Sequence, residues 1–65
     1  MTEKEIKKFR HIVARFEGVK HSAVEIVRQE ILTDNKHKIY AKIGYYTRCY
    51  LMLGNWIVES WVCVK

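Results

Sequence analysis

Apolar residues recur along this chain with two different periods. Between Glu3 and Glu17 they fall at Ile6, Phe9, Ile12, Val13 and Phe16, three or four residues apart. That spacing gathers them on one side of a helix. Thr2 and Glu5 occupy the two positions of a capping box, in which the threonine oxygen accepts from the third backbone N–H and the glutamate reaches back. Gly18 stands where a left-handed residue would end the element. The pattern predicts a helix over Glu3–Glu17.

From residue 39 the period falls to two. Ile39, Ala41, Ile43, Tyr45, Thr47, Cys49, Leu51 and Leu53 make one alternating set. Tyr40, Lys42, Gly44, Tyr46, Arg48, Tyr50 and Met52 make the other. This predicts one long strand that buries the first set and turns the second outward. Gly54-Asn55 suits the tight two-residue turn of a hairpin. Folding back there sets Leu53 against Trp56, Leu51 against Val58, Cys49 against Ser60, Thr47 against Val62 and Tyr45 against Val64. On the outward face Met52 meets Ile57, Tyr50 meets Glu59, Arg48 meets Trp61 and Tyr46 meets Cys63. A slip of one residue would exchange the two faces. Residues 39–65 are therefore expected to form a long antiparallel hairpin.

Residues 21–33 support two readings. Ser22 and Glu25 fit a second capping box, with Ala23, Val24, Val27 and Ile31 on a helix face. Ile26 and Leu32 fall off that face, however. The β-branched content and the turn sequence Thr33-Asp34-Asn35-Lys36 suit a strand instead. The expected fold class is α+β: an N-terminal amphipathic helix packed on a small antiparallel sheet. The middle segment is either a second helix or a third strand.

Composition narrows the class. Sixty-five residues make a single domain, residues 1–65. A chain of this length buries only about 60% of its unfolded surface, so small domains often add a disulfide, a metal or a partner. With 49% hydrophobic residues and no proline, it is not a disordered linker. The hairpin register points Cys49 inward and Cys63 outward, so an internal disulfide is not expected. Reduced thiols would suit the cytoplasm. The N-terminus has no apolar core of a secretory signal. The longest wholly apolar run, Tyr50 through Leu53, is far short of the roughly 20 residues of a membrane span. A soluble cytoplasmic protein is the expectation.

Catalytic chemistry finds no foothold. His11, His21 and His37 have no metal-ligand spacing, there is no C-x-x-C, and the glycines form no phosphate loop. Neither an enzyme, a cofactor, a metal site nor a small-molecule substrate is expected. The candidate surfaces are two. On the outward sheet face stand Tyr40, Lys42, Tyr46, Arg48, Tyr50, Met52, Ile57 and Trp61, of types enriched at interfaces. Arg48 over Trp61 would be a cation–π pair. On the helix, Lys4, Lys7, Lys8, His11 and Arg15 share a sector of roughly 100°. Each surface has a plain alternative: the middle segment covers the sheet face, and the helix stripe is an ordinary solvated face.

The net charge of +5 favours acidic partners. The leading expectation is a non-enzymatic protein-binding module, a regulator, inhibitor or adaptor, that docks through the aromatic sheet face. It would engage a protein partner or itself, for instance as a homodimer through an exposed last strand. Size and composition are in the style of small accessory proteins that viruses encode, matched to no motif. The alternative is nucleic-acid binding, with the sheet aromatics stacking bases and the helix stripe on phosphates. Glu59 amid the platform and the lack of an RNP-like motif weigh against it.

Overall fold

The computed structural model describes residues 2–63. Helix α1 (Glu3–Glu17) leads into a single 3-10 turn (His21–Ala23) and four strands: β1 (Val24–Ile31), β2 (Lys36–Ile43), β3 (Tyr46–Leu53) and β4 (Trp56–Val62). The strands pair in chain order as an antiparallel meander. The fold is α+β, with the helix on one face of the sheet.

Local chemistry sets the bounds of α1 as expected. The Glu5 N–H donates to Thr2 Oγ1 at 3.2 Å, and the Thr2 N–H donates to Glu5 Oε1 at 3.1 Å. Gly18 takes φ +72° and ends the helix, in a region that costs other L-residues roughly 1–2 kcal/mol. Phe9, Val13 and Ala14 are buried against Val24, Ile39, Ala41, Tyr50 and Met52.

Beyond one 3-10 turn, residues 21–33 resolve as strand rather than helix. Pairing with β2 satisfies the β1 backbone, and the pleat accommodates the branched side chains of Val24, Ile26 and Ile31. Residues 33–36 form the predicted turn, with the Leu32 and Thr33 N–H groups donating to the Lys36 carbonyl at 2.9 and 3.0 Å.

The long strand expected over residues 39–53 is two strands. Gly44, at φ +65°, and Tyr45 make a tight turn, and Ile43 pairs with Tyr46. A two-residue loop pairs residue i with i+3, so the parity of the buried set reverses across it. Ile39 and Ala41 bury on β2 as expected. On β3 the residues fully enclosed against the helix are Tyr50 and Met52, where the opposite set was expected; Cys49, also buried, lies on the other face. Leu51 and Leu53 lie on the other face.

The last strand brings a further correction. Leu53 pairs with Trp56 and Met52 with Ile57, as the Gly54-Asn55 turn requires. Val58 is then an extra residue, a bulge, and Leu51 faces Glu59, Tyr50 faces Ser60, Cys49 faces Trp61 and Arg48 faces Val62. The Cys63 N–H donates to the Thr47 carbonyl at 2.9 Å. Cys49 and Cys63 thereby become diagonal neighbours on one face, 5.8 Å apart at Cα, and are joined by a disulfide. The expectation of separated, reduced thiols is overturned, and with it the thiol-based reason for a cytoplasmic setting. Of the expected pairing between Tyr45 and Val64, Tyr45 is a turn residue and Val64 lies outside the described residues. No helix among the described residues is long and apolar enough to cross a membrane.

Candidate functional site

The two faces of the sheet have opposite fates. On the helix side, Tyr50 and Arg48 anchor the end of α1. The Tyr50 hydroxyl donates to Glu17 Oε2 at 2.7 Å, and Arg48 Nε lies 2.9 Å from the same oxygen. Arg48 also donates to Ser60 Oγ at 3.0 Å. Burial, reinforced by the hydrogen bond and charge of Glu17, pushes the Tyr50 phenol well above its ordinary pKa, against a smaller opposing effect of Arg48. Tyr50 is therefore a neutral donor holding a carboxylate, which is a structural task.

This places four of the expected sheet-face residues elsewhere. Tyr50 and Met52 belong to the core, Ile57 packs against it, and Arg48 is committed to Glu17. The reversed parity across Gly44-Tyr45 is the cause. Arg48 lies over the Tyr50 ring at 6.0 Å rather than over Trp61.

The other face has nothing laid over it among the described residues. Its side chains stand in rows across the strands. Arg28, Tyr40, Cys49 and Trp61 form one row, and Glu30, Lys38, Leu51 and Glu59 the next. Toward the Gly44 turn, Glu25, Lys42 and Thr47 form a third. Arg28 sits 4.7 Å over the Tyr40 ring, and Lys38 is 5.9 Å from the rings of both Tyr40 and Trp61. Glu30 pairs with Arg28 at 3.1 Å and with Lys38 at 3.6 Å. Cations, aromatic planes and one carboxylate thus order each other on an open surface, a preorganisation that lowers the cost of binding.

At the Gly44 end this face sinks into a hollow of about 810 Å³. Its rim is Arg28, Tyr40, Tyr45, Tyr46 and Trp61, and its floor includes Cys49 and Cys63. Tyr45 is wholly exposed at the turn and Tyr46 about half so. Of the expected sheet-face residues, Tyr40 and Trp61 come together here, with Lys42 exposed on the same face; Tyr46 borders the hollow from the Gly44 turn, although its register opposite Ile43 belongs to the helix side. Arg28, Lys38, Tyr45 and the disulfide join them unforeseen.

The helix stripe stands as a row of exposed residues: Lys4, Lys7, Lys8, His11 and Arg15. No carboxylate pairs with its lysines or its arginine among the described residues. His11 stacks on His21, ring centroids 4.7 Å apart. No group of three or more His, Cys, Asp or Glu able to hold a metal ion occurs among the described residues. No family model matches the chain, and neither a curated protein nor a solved structure is detectably similar to it.

Proposed function

We propose that this is a protein-binding module, a non-enzymatic regulator, inhibitor or adaptor, whose contact surface is the aromatic hollow on the open sheet face. The observation that carries this reading is the convergence of Arg28, Tyr40, Tyr45, Tyr46 and Trp61 around one cavity over a disulfide floor. Tyr, Trp and Arg dominate interface hot spots because each offers large contact area with a polar end. Glu25, Glu30 and Glu59 on the same face favour a protein of mixed charge over a polyanion, since each carboxylate would repel a phosphate backbone. Self-association through the free edge of β4 belongs to the same class of function.

The test uses the disulfide-bonded protein as bait in extract of its native host, with the retained protein then purified. Its affinity should fall about tenfold or more for Tyr45→Ser/Tyr46→Ser, a change confined to exposed side chains. Equal affinity for that variant would sink the proposal.

One observation favours a second reading, in which nucleic acid is the partner. The cations of the helix stripe are exposed and unpaired among the described residues. Titration with labelled single- and double-stranded oligonucleotides at two salt concentrations separates the readings. Phosphate contacts give an affinity that falls steeply with salt.

A further inference from the structure

A second concavity lies on the helix side of the sheet, away from the aromatic hollow. α1 packs most closely on β1, the strand at the opposite edge of the sheet from β4. Between the helix and the Gly54 end of the β3–β4 hairpin runs a groove of about 680 Å³. Ile12 and Ile57 form its floor, each half-buried against the core. Phe16 walls it, and Trp56 borders it at the hairpin turn from its position opposite Leu53; both are large apolar side chains held in solvent, at 51% and 78% exposure. Lys8 and Arg15 stand along the helix rim, and no carboxylate lines the groove.

We infer that this groove receives an acidic amphipathic helix of a partner protein. The spacing of the cations defines the ligand. Lys8 and Arg15 are seven residues apart on one helix, which sets them about 10 Å apart along its axis. Carboxylates two turns apart on a partner helix match that distance, with apolar residues between them directed onto Ile12 and Ile57. A second copy of this chain is a poor occupant because its net charge is +5. Nucleic acid would satisfy the cations and find Phe16 and Trp56 to stack on, but it has no branched apolar groups to fill the Ile12 and Ile57 floor between them. The groove does not depend on the hollow across the sheet. With both occupied, the domain would bridge two proteins.

The probe is a synthetic Leu/Glu amphipathic peptide of about four helical turns, titrated into the isotope-labelled, disulfide-bonded protein and followed by amide and indole NMR shifts. A scrambled peptide of the same composition and an oligothymidylate serve as comparators. Shifts are expected at Ile12, Phe16, Ile57 and the Trp56 indole, with Tyr40 and Tyr45 unmoved. Affinity should fall about tenfold or more in Lys8→Glu/Arg15→Glu, and also in Trp56→Ala, each of which alters exposed residues only. Four outcomes overturn the inference: no shifts at millimolar peptide, equal binding of the scrambled peptide, shifts centred on the hollow, or displacement of the peptide by oligothymidylate. Only the third of these touches the tyrosine-rimmed hollow, whose own variant is read separately.

Discussion

The β2–β3 and β3–β4 hairpins share a strand and close through turns of equal length. Each turn opens on a glycine at nearly the same angle, φ +65° at Gly44 and +63° at Gly54. Beyond the turns the two ladders diverge. β2–β3 runs in unbroken register from Ile43–Tyr46 to Lys36–Leu53. β3–β4 keeps its register for the pairs nearest the turn and then bulges at Val58. Their ends are held differently as well. The Gly54 N–H donates to the Asn35 carbonyl at 2.8 Å, and His37, accepting from Gln29 at 2.8 Å, lies 3.3 Å from the Gly54 carbonyl. At the Gly44 end a disulfide ties the residue that follows β4 to β3. A turn fixes where a register begins; a bulge decides which face the remainder presents.

The contrast breaks most sharply at β3, whose two faces serve different purposes. Met52→Ala empties a fully enclosed site and should cost about 2–5 kcal/mol in urea denaturation. Leu51→Ala, one position away on the open face, should cost about 1 kcal/mol or less. Equal losses would contradict the buried parity of β3. Next in size is the disulfide, which closes a loop with a sequence separation of 14. Cys49→Ser/Cys63→Ser should lose about 3 kcal/mol, the scale for a loop of about 15 residues. Thermal unfolding with and without reductant would give the same difference in the parent protein. The smallest effect belongs to Val58. Deleting it removes the extra residue while leaving Met52 against Ile57 and Leu51 against Glu59. The Cys49–Cys63 bond should still form by mass spectrometry, with stability changed by less than about 1 kcal/mol. Loss of that bond would show that the bulge does more than take up one residue.

The features legible in the sequence are those whose cause is local. The Thr2/Glu5 capping box and the Gly18 cap mark α1 through groups that touch within one turn. Gly54-Asn55 announces a turn because both residues suit it. Gly44-Tyr45 is hidden, although it is also a glycine-led pair, because Ile43, Tyr45 and Thr47 continue the alternation of Ile39 and Ala41 without a break. Tyrosine after the glycine offers none of the turn chemistry of asparagine. Val58 gives still less warning, since valine is a favoured strand residue and its bulge exists only relative to β3. These two non-local events carry the candidate site to a different set of residues. Tyr40 and Trp61 keep their place on the open face because one lies before the hidden turn and the other beyond both parity changes. Tyr50 and Met52, between them, cross to the core.

The Glu17–Tyr50 hydrogen bond spans 33 residues of chain, and this separation orders events in time. Each hairpin of the meander closes only a short loop, so the sheet can zip up from neighbouring segments. The helix can rest on β1 and β2 alone, but its dock is complete only when β3 adds Tyr50 and Met52. Docking is accordingly the late, non-local step of folding. While it is pending, Phe9, Val13 and the inner side of the sheet are all bare to solvent. The interval in which this small protein is most open to aggregation ends when one carboxylate at the foot of the helix finds a tyrosine.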